Sequence, residues 1–219
     1  MSKENSKPIS TYITHGDISL RAVIYHGQST SSPSVGMVLC HPHPLYGGDM
    51  NNNVVMALYH ACIAEGWPTL RFNFRGTGGS SGGFADGIGE QEDVKSACQF
   101  LQTETGVSQI IMIGYSFGAA VGCAIVDKMS SVMGYCAISY PFTFIPEFVK
   151  TAHTTKPKLF VMGTKDNFTT VSAFQEAMEQ MPEPKETHLL PGIDHFWGGH
   201  ERQLKEIVLD WLKRTISKL

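Results

Sequence analysis

Gly114-Tyr115-Ser116-Phe117-Gly118 is the segment of this sequence best suited to covalent chemistry. It follows the apolar run 109–113 and opens residues 117–127, which read as a helix. A serine on so tight a strand-to-helix turn needs small neighbours two residues away, and the turn lifts its hydroxyl above the sheet edge. The start of the following helix directs partial positive charge at the same point. A serine hydroxyl is a weak nucleophile, so it needs a base, and the base needs an acid to orient it. Both stand downstream at strand ends. Residues 158–162 run into Gly163-Thr164-Lys165-Asp166, and residues 186–190 run into Pro191-Gly192-Ile193-Asp194-His195. The gaps from Ser116 to Asp166 and from Asp166 to His195 are 50 and 29 residues, which a sheet can bridge by aligning strand ends. Such a set performs acyl transfer. Ser116 attacks a carbonyl, His195 acts as general base and then acid, and Asp166 orients the imidazole.

Rival groups fit less well. Asp194 adjoins His195 and shapes the loop, because adjacent residues on an extended segment point apart. Asp127 and Asp210 fall on helices, and His200 opens the last helix. His41 and His43 alternate at a strand end but lack a third ligand, so no metal is expected. Residues 76–83 are rich in glycine, yet Ser81 breaks the G-x-G-x-x-G spacing and the next helix begins well beyond. This loop reads as structural, with Arg75 paired to a carboxylate. No cofactor is expected.

The elements that position these residues alternate. A strand pair covers 10–14 and 19–26, and a polar loop covers 28–34. Strands follow at 35–40, 69–74, 109–113, 132–139, 158–162 and 186–190. Helices are predicted at 53–65, 91–103, 117–127, 170–180 and 201–216. Strands alternating with helices imply a mostly parallel sheet covered on both faces, with the opening hairpin antiparallel at one edge. Residues 107–126 carry no charge and are long enough to cross a bilayer, but the serine turn divides them into a buried strand and a buried helix.

Composition agrees. At roughly 150 residues per domain, 219 residues make one domain. Residues 1–8 read as a flexible tail and 9–219 as a single α/β domain. A net charge of -3 leaves no electrostatic footprint for nucleic acid or an anionic membrane. Five dispersed cysteines and a polar N-terminus without an apolar run suggest reduced thiols in a cytoplasmic protein. Composition leaves the oligomeric state open.

Together with the serine turn, His41-Pro42-His43-Pro44-Leu45-Tyr46-Gly47-Gly48, Arg71-Phe72-Asn73-Phe74-Arg75-Gly76 and Asp194-His195-Phe196-Trp197 carry a family likeness. The chain resembles serine hydrolases of the α/β-hydrolase superfamily, and is similar to the small lidless group near dienelactone hydrolases. The resemblance implies a three-layer α/β-hydrolase fold with no large cap domain. One oxyanion donor is then the N–H of Phe117. The second comes from the loop after residues 35–40, where Pro42 and Pro44 have no N–H. Leu45 is the preferred donor if His43 opens the loop, and His43 is the alternative if His41 does. Tyr46, Phe142, Phe144, Phe168, Phe196 and Trp197 are candidates to line an apolar pocket, as is Phe117. The expected substrate is a small carboxylic ester or thioester. A catalytically silent hydrolase fold used for binding, and a metal- or nucleotide-dependent enzyme, are the alternatives.

Overall fold

The computed structural model describes residues 7–28, 35–143 and 152–218. Most of the predicted loop at 28–34, the connection around Phe144, and residues 1–6 of the expected tail lie outside the described residues.

Eight strands form one sheet, β1 (Ile9–His15), β2 (Ile18–Tyr25), β3 (Val35–Cys40), β4 (Thr69–Phe72), β5 (Gln109–Tyr115), β6 (Val132–Ile138), β7 (Lys158–Gly163) and β8 (Lys185–Leu190). Their order is β1-β2-β4-β3-β5-β6-β7-β8. β1 and β2 pair antiparallel, as do β2 and β4, while β4 through β8 are parallel. Among the described residues the α-helices are α1 (Asn53–Ala64), α2 (Ile88–Thr105), α3 (Phe117–Cys123), α4 (Val171–Gln180) and α5 (Glu201–Ile216).

Side chains alternate across the central strands, so each strand feeds two cores. Val38, Ile110, Met112 and Ala137 pack on the face covered by α2, α3 and α4. Met37, Ile111, Ile113 and Ile138 pack on the opposite face, under α1 and α5. In α5, Leu204, Val208, Trp211 and Leu212 recur at helical spacing and are buried. Each such residue taken fully out of water contributes about 1.5–3 kcal/mol. All five cysteines are free and buried. Among the described residues, no helix is long and apolar enough to cross a membrane.

Element ends depart from the sequence reading where polar side chains replace backbone partners. α2 begins three residues earlier than predicted, because the buried Glu90 carboxylate accepts the N–H groups of Ala85 (2.8 Å) and Gly87 (2.9 Å). β4 stops at Phe72. There Asn73 leaves the strand and accepts the N–H of Met50 at 2.8 Å. The predicted helix 117–127 is α3 followed by a 3-10 turn, Val126–Lys128. The glycine-rich loop is stitched to β2, with Ser80 and Ser81 Oγ accepting the N–H groups of Arg21 and Ser19. Its Arg75 donates to the buried Asp93 carboxylate at 2.7 Å.

Candidate active site

Ser116 stands between β5 and α3 with φ 54° and ψ -121°. Holding a non-glycine residue there costs about 1–3 kcal/mol, which the surrounding packing must offset. Part of the hold is the Ser116 N–H, which donates to Ile138 O at 2.9 Å. The flanking glycines explain the rest. A Cβ on Gly114 would overlap the backbone of Ala119, and one on Gly118 would overlap the carbonyls of Cys40 and His41. The turn therefore lies directly against the end of β3, a packing that only glycine permits.

The structure brings Ser116, Asp166 and His195 together. Asp166 follows β7 and His195 follows β8, and these neighbouring parallel strands end side by side. His195 Nδ1 lies 2.7 Å from Asp166 Oδ2, and its Nε2 lies 3.0 Å from Ser116 Oγ. An ionised carboxylate only accepts, so the ring proton sits on Nδ1 and leaves Nε2 to accept from the serine hydroxyl. The other oxygen, Asp166 Oδ1, accepts the N–H groups of Phe168 (2.9 Å) and Thr169 (3.1 Å). Burial alone would push the Asp166 pKa up. The hydrogen bond and charge of His195, with the two backbone donors, outweigh it and hold the carboxyl below its ordinary range.

The loop carrying His195 is pinned from several sides. Tyr115, the residue before the serine, donates its hydroxyl to His195 O at 2.8 Å. Burial, then the charges of Asp166 and Asp194, push the Tyr115 pKa well up, so it remains a donor. Asn53 Nδ2 donates to Phe196 O at 3.0 Å. Asp194 Oδ1 accepts the N–H groups of Phe196 and Trp197.

The loop after β3 holds two histidines with separate tasks. His41 is fully buried, with Nδ1 2.6 Å from Pro42 O and Nε2 accepting Phe74 N–H at 3.0 Å. Burial lowers its pKa from 6.5 to about 4, so the ring is neutral and ties this loop to the chain leaving β4. His43 packs its ring against Phe117 and Phe84, with centroids 4.8 and 4.9 Å away. Its Nδ1 accepts the N–H of Leu45 at 3.2 Å, where a 3-10 turn at Pro44–Tyr46 begins.

A cavity of about 140 Å³ opens at Ser116 and is lined by His43, Tyr46, Asn52, Tyr115, Phe117, Phe168 and Phe196, with Pro42 and Pro141. Tyr46, Phe117, Phe168 and Phe196 line this cavity. Three expectations need correcting. The Leu45 N–H is spent on the His43 ring, and the residue is 68% exposed and outside the cavity. Phe142 turns into the core against Tyr140, Phe160 and Phe174. Trp197 is fully buried and donates its indole N–H to Ser139 Oγ at 3.1 Å. By contrast, the N–H groups of His43 and Phe117 have no acceptor among the described residues, and both residues line the cavity. Tyr115, Asn52 and Pro141 are cavity residues that the sequence reading missed. Tyr115 is legible as the second position of the serine turn, and Asn52 as a capping residue ahead of α1.

Relatives share this architecture. The chain is 30% identical over 196 residues to an uncharacterized protein of Rickettsia prowazekii (strain Madrid E), covering 85% of this chain and 82% of that one. An alpha-beta serine hydrolase homologue from Coxiella burnetii superposes with a TM-score of 0.83 at 30% identity, covering 92% of this chain and 96% of that one. A lidless a/b serine hydrolase from Xanthomonas campestris gives 0.86 at 21% identity, covering 96% of each chain, and shows likeness of fold. The family described as Alpha/beta hydrolase domain matches residues 35–206. With the sheet order, the serine turn and that match in agreement, this chain belongs to the alpha/beta hydrolase family.

Proposed function

We propose that the protein is a serine hydrolase that cleaves small carboxylic esters or thioesters through an acyl-enzyme on Ser116. The observation that carries this reading is the unbroken hydrogen-bonded line from Asp166 through His195 to Ser116 Oγ, on a strained turn at the floor of a cavity. Ser116 attacks the carbonyl carbon while His195 Nε2 takes its proton. The developing oxyanion accepts from the N–H groups of Phe117 and His43. His195 then protonates the leaving alcohol or thiol, and water, deprotonated by the same nitrogen, releases the acid. Likeness to the alpha-beta serine hydrolase homologue from Coxiella burnetii, at 30% identity, supports the assignment.

Size and polarity support the substrate class. A cavity of about 140 Å³ is close to the roughly 150 Å³ that accommodates one benzene ring. Its walls are mainly aromatic rings and prolines, suited to a short acyl chain or a single ring. A fluorophosphonate probe tests the reading. The wild-type chain should be labelled at Ser116 and should hydrolyse p-nitrophenyl acetate, and Ser116→Ala should do neither. A folded wild-type protein inert to both reagents would refute it.

A further inference from the structure

The cavity contains a polar side chain that the acyl-transfer steps leave unused. Asn52 stands just ahead of α1 and lines the cavity together with Ser116. Its backbone is fully engaged, with N–H donating to Asp49 O at 3.1 Å and its carbonyl accepting Met56 N–H at 2.9 Å. Its side-chain oxygen accepts the N–H of Val54 at 3.0 Å, capping the helix. That bond fixes the orientation of the amide, because the Val54 N–H requires an acceptor and only Oδ1 can supply one. The NH2 group consequently lies on the other side and donates to nothing among the described residues.

The surroundings of this donor limit what it can bind. Phe117, Phe168, Phe196, Pro42 and Pro141 form the apolar walls, and no Lys, Arg, Asp or Glu lines the cavity among the described residues. Apolar walls sort ligands by size. A donor set among them sorts by polarity, because a ligand that lacks an acceptor strips water from the donor and returns nothing. A carboxylate would face those rings with no cation to offset its lost hydration.

We propose that Asn52 is a specificity-determining residue of this site, selecting esters with a neutral acceptor oxygen, such as an ether, hydroxyl or carbonyl, in the half of the substrate held in the cavity. This rests on the ester hydrolase reading above and deepens it. The donor is partly open to solvent, so its discrimination should be about tenfold rather than the far larger factors of fully enclosed sites.

The test uses two pairs of substrates in which one methylene is exchanged for oxygen. One pair varies the acyl half, p-nitrophenyl methoxyacetate against p-nitrophenyl butyrate. The other varies the alcohol half, 2-methoxyethyl acetate against butyl acetate. Intrinsic reactivity cancels when the kcat/KM ratio of a pair in the wild type is divided by the ratio in a variant. Asn52→Ser keeps an oxygen that can cap α1 and removes the amide donor. Asn52→Asp keeps the cap and replaces the donor by an acceptor, so it serves should the serine variant fold poorly. In one of the two pairs the double ratio should reach fivefold or more for either variant. Values below fivefold in both pairs overturn the proposal. A wild-type preference for p-nitrophenyl hemisuccinate over methoxyacetate, lost in Asn52→Ser, also overturns it in favour of a carboxylate ligand. Ser116 labelled by the probe without turnover of either pair counts against Asn52 alone. An unlabelled, inactive wild type removes the hydrolase reading and this inference with it.

Discussion

Replacing His43 by proline separates a backbone donor from the side chain that carries it. His43 holds φ -57° and ψ 123°, a backbone that a proline ring accepts and that is compatible with Pro44 following it. The substitution deletes one N–H and leaves that of Phe117 in place. The lost N–H has no acceptor among the described residues, so folding forfeits little hydrogen bonding and the cost falls on the transition state. Loss of one oxyanion donor is worth about 3 kcal/mol, or about 160-fold in kcat at 25 °C. The imidazole is lost as well, along with its acceptance of the Leu45 N–H. His43→Ala supplies the control, since it loses the ring and keeps the N–H. Steady-state hydrolysis of p-nitrophenyl acetate, with thermal unfolding followed in parallel, reads both variants. His43→Ala should stay within tenfold of the wild type, and His43→Pro should lie about a further hundredfold lower in kcat. A folded His43→Pro variant within threefold of His43→Ala would show that the second donor is elsewhere in the loop.

Two further outcomes follow from buried hydrogen bonds around the site. His41 has a folded pKa of about 4 against an ordinary 6.5, so the unfolded chain takes up the proton first as pH falls, and the stability held above pH 6.5 drains away towards pH 4. Between pH 7 and pH 5 this amounts to about 2 kcal/mol, and His41→Gln, whose amide oxygen can accept the Phe74 N–H, should lack that part in urea titrations at the two pH values. An equal acid loss in the variant would assign the sensitivity to other groups. Tyr115→Phe leaves the buried His195 carbonyl without its hydroxyl donor, so urea unfolding should register about 1–3 kcal/mol of destabilisation and kcat should fall as the imidazole loses its anchor. Unchanged stability and kcat would refute the anchoring role.

The fold was legible because its signals are periodic. Six-residue apolar runs such as Val35–Cys40 can be buried only in the middle of a covered sheet, and α5 repeats its apolar positions at helical spacing. What the sequence hid lies at the element ends, where single polar side chains decide. Glu90 draws α2 three residues forward by accepting two amides, and Asn73 ends β4 by accepting the amide of Met50. Neither bond has a periodicity to read, because each depends on a partner placed by the tertiary fold.

The candidate site divides along the same line. Ser116, Asp166 and His195 were readable because each sits at the end of a strand, and parallel strands must deliver their ends to one rim. The loop after β3 was not, because Leu45 and His43 both have an N–H and spacing alone cannot say which is already taken. A neutral His43 ring decides it by accepting the Leu45 amide, and its neutrality comes from burial beside Phe117 and Phe84. The loop aromatics obey the same logic. Trp197 has φ 63°, which turns its side chain back under the sheet to Ser139, whereas its neighbour Phe196 remains 58% exposed at the cavity. Strand ends thus fix where the proposed acyl transfer can occur, while the dihedral angles and hydrogen-bond debts of the connecting loops fix which groups line the cavity. Asn52 belongs to the second kind: its oxygen is owed to a helix, and that obligation leaves its nitrogen for a ligand.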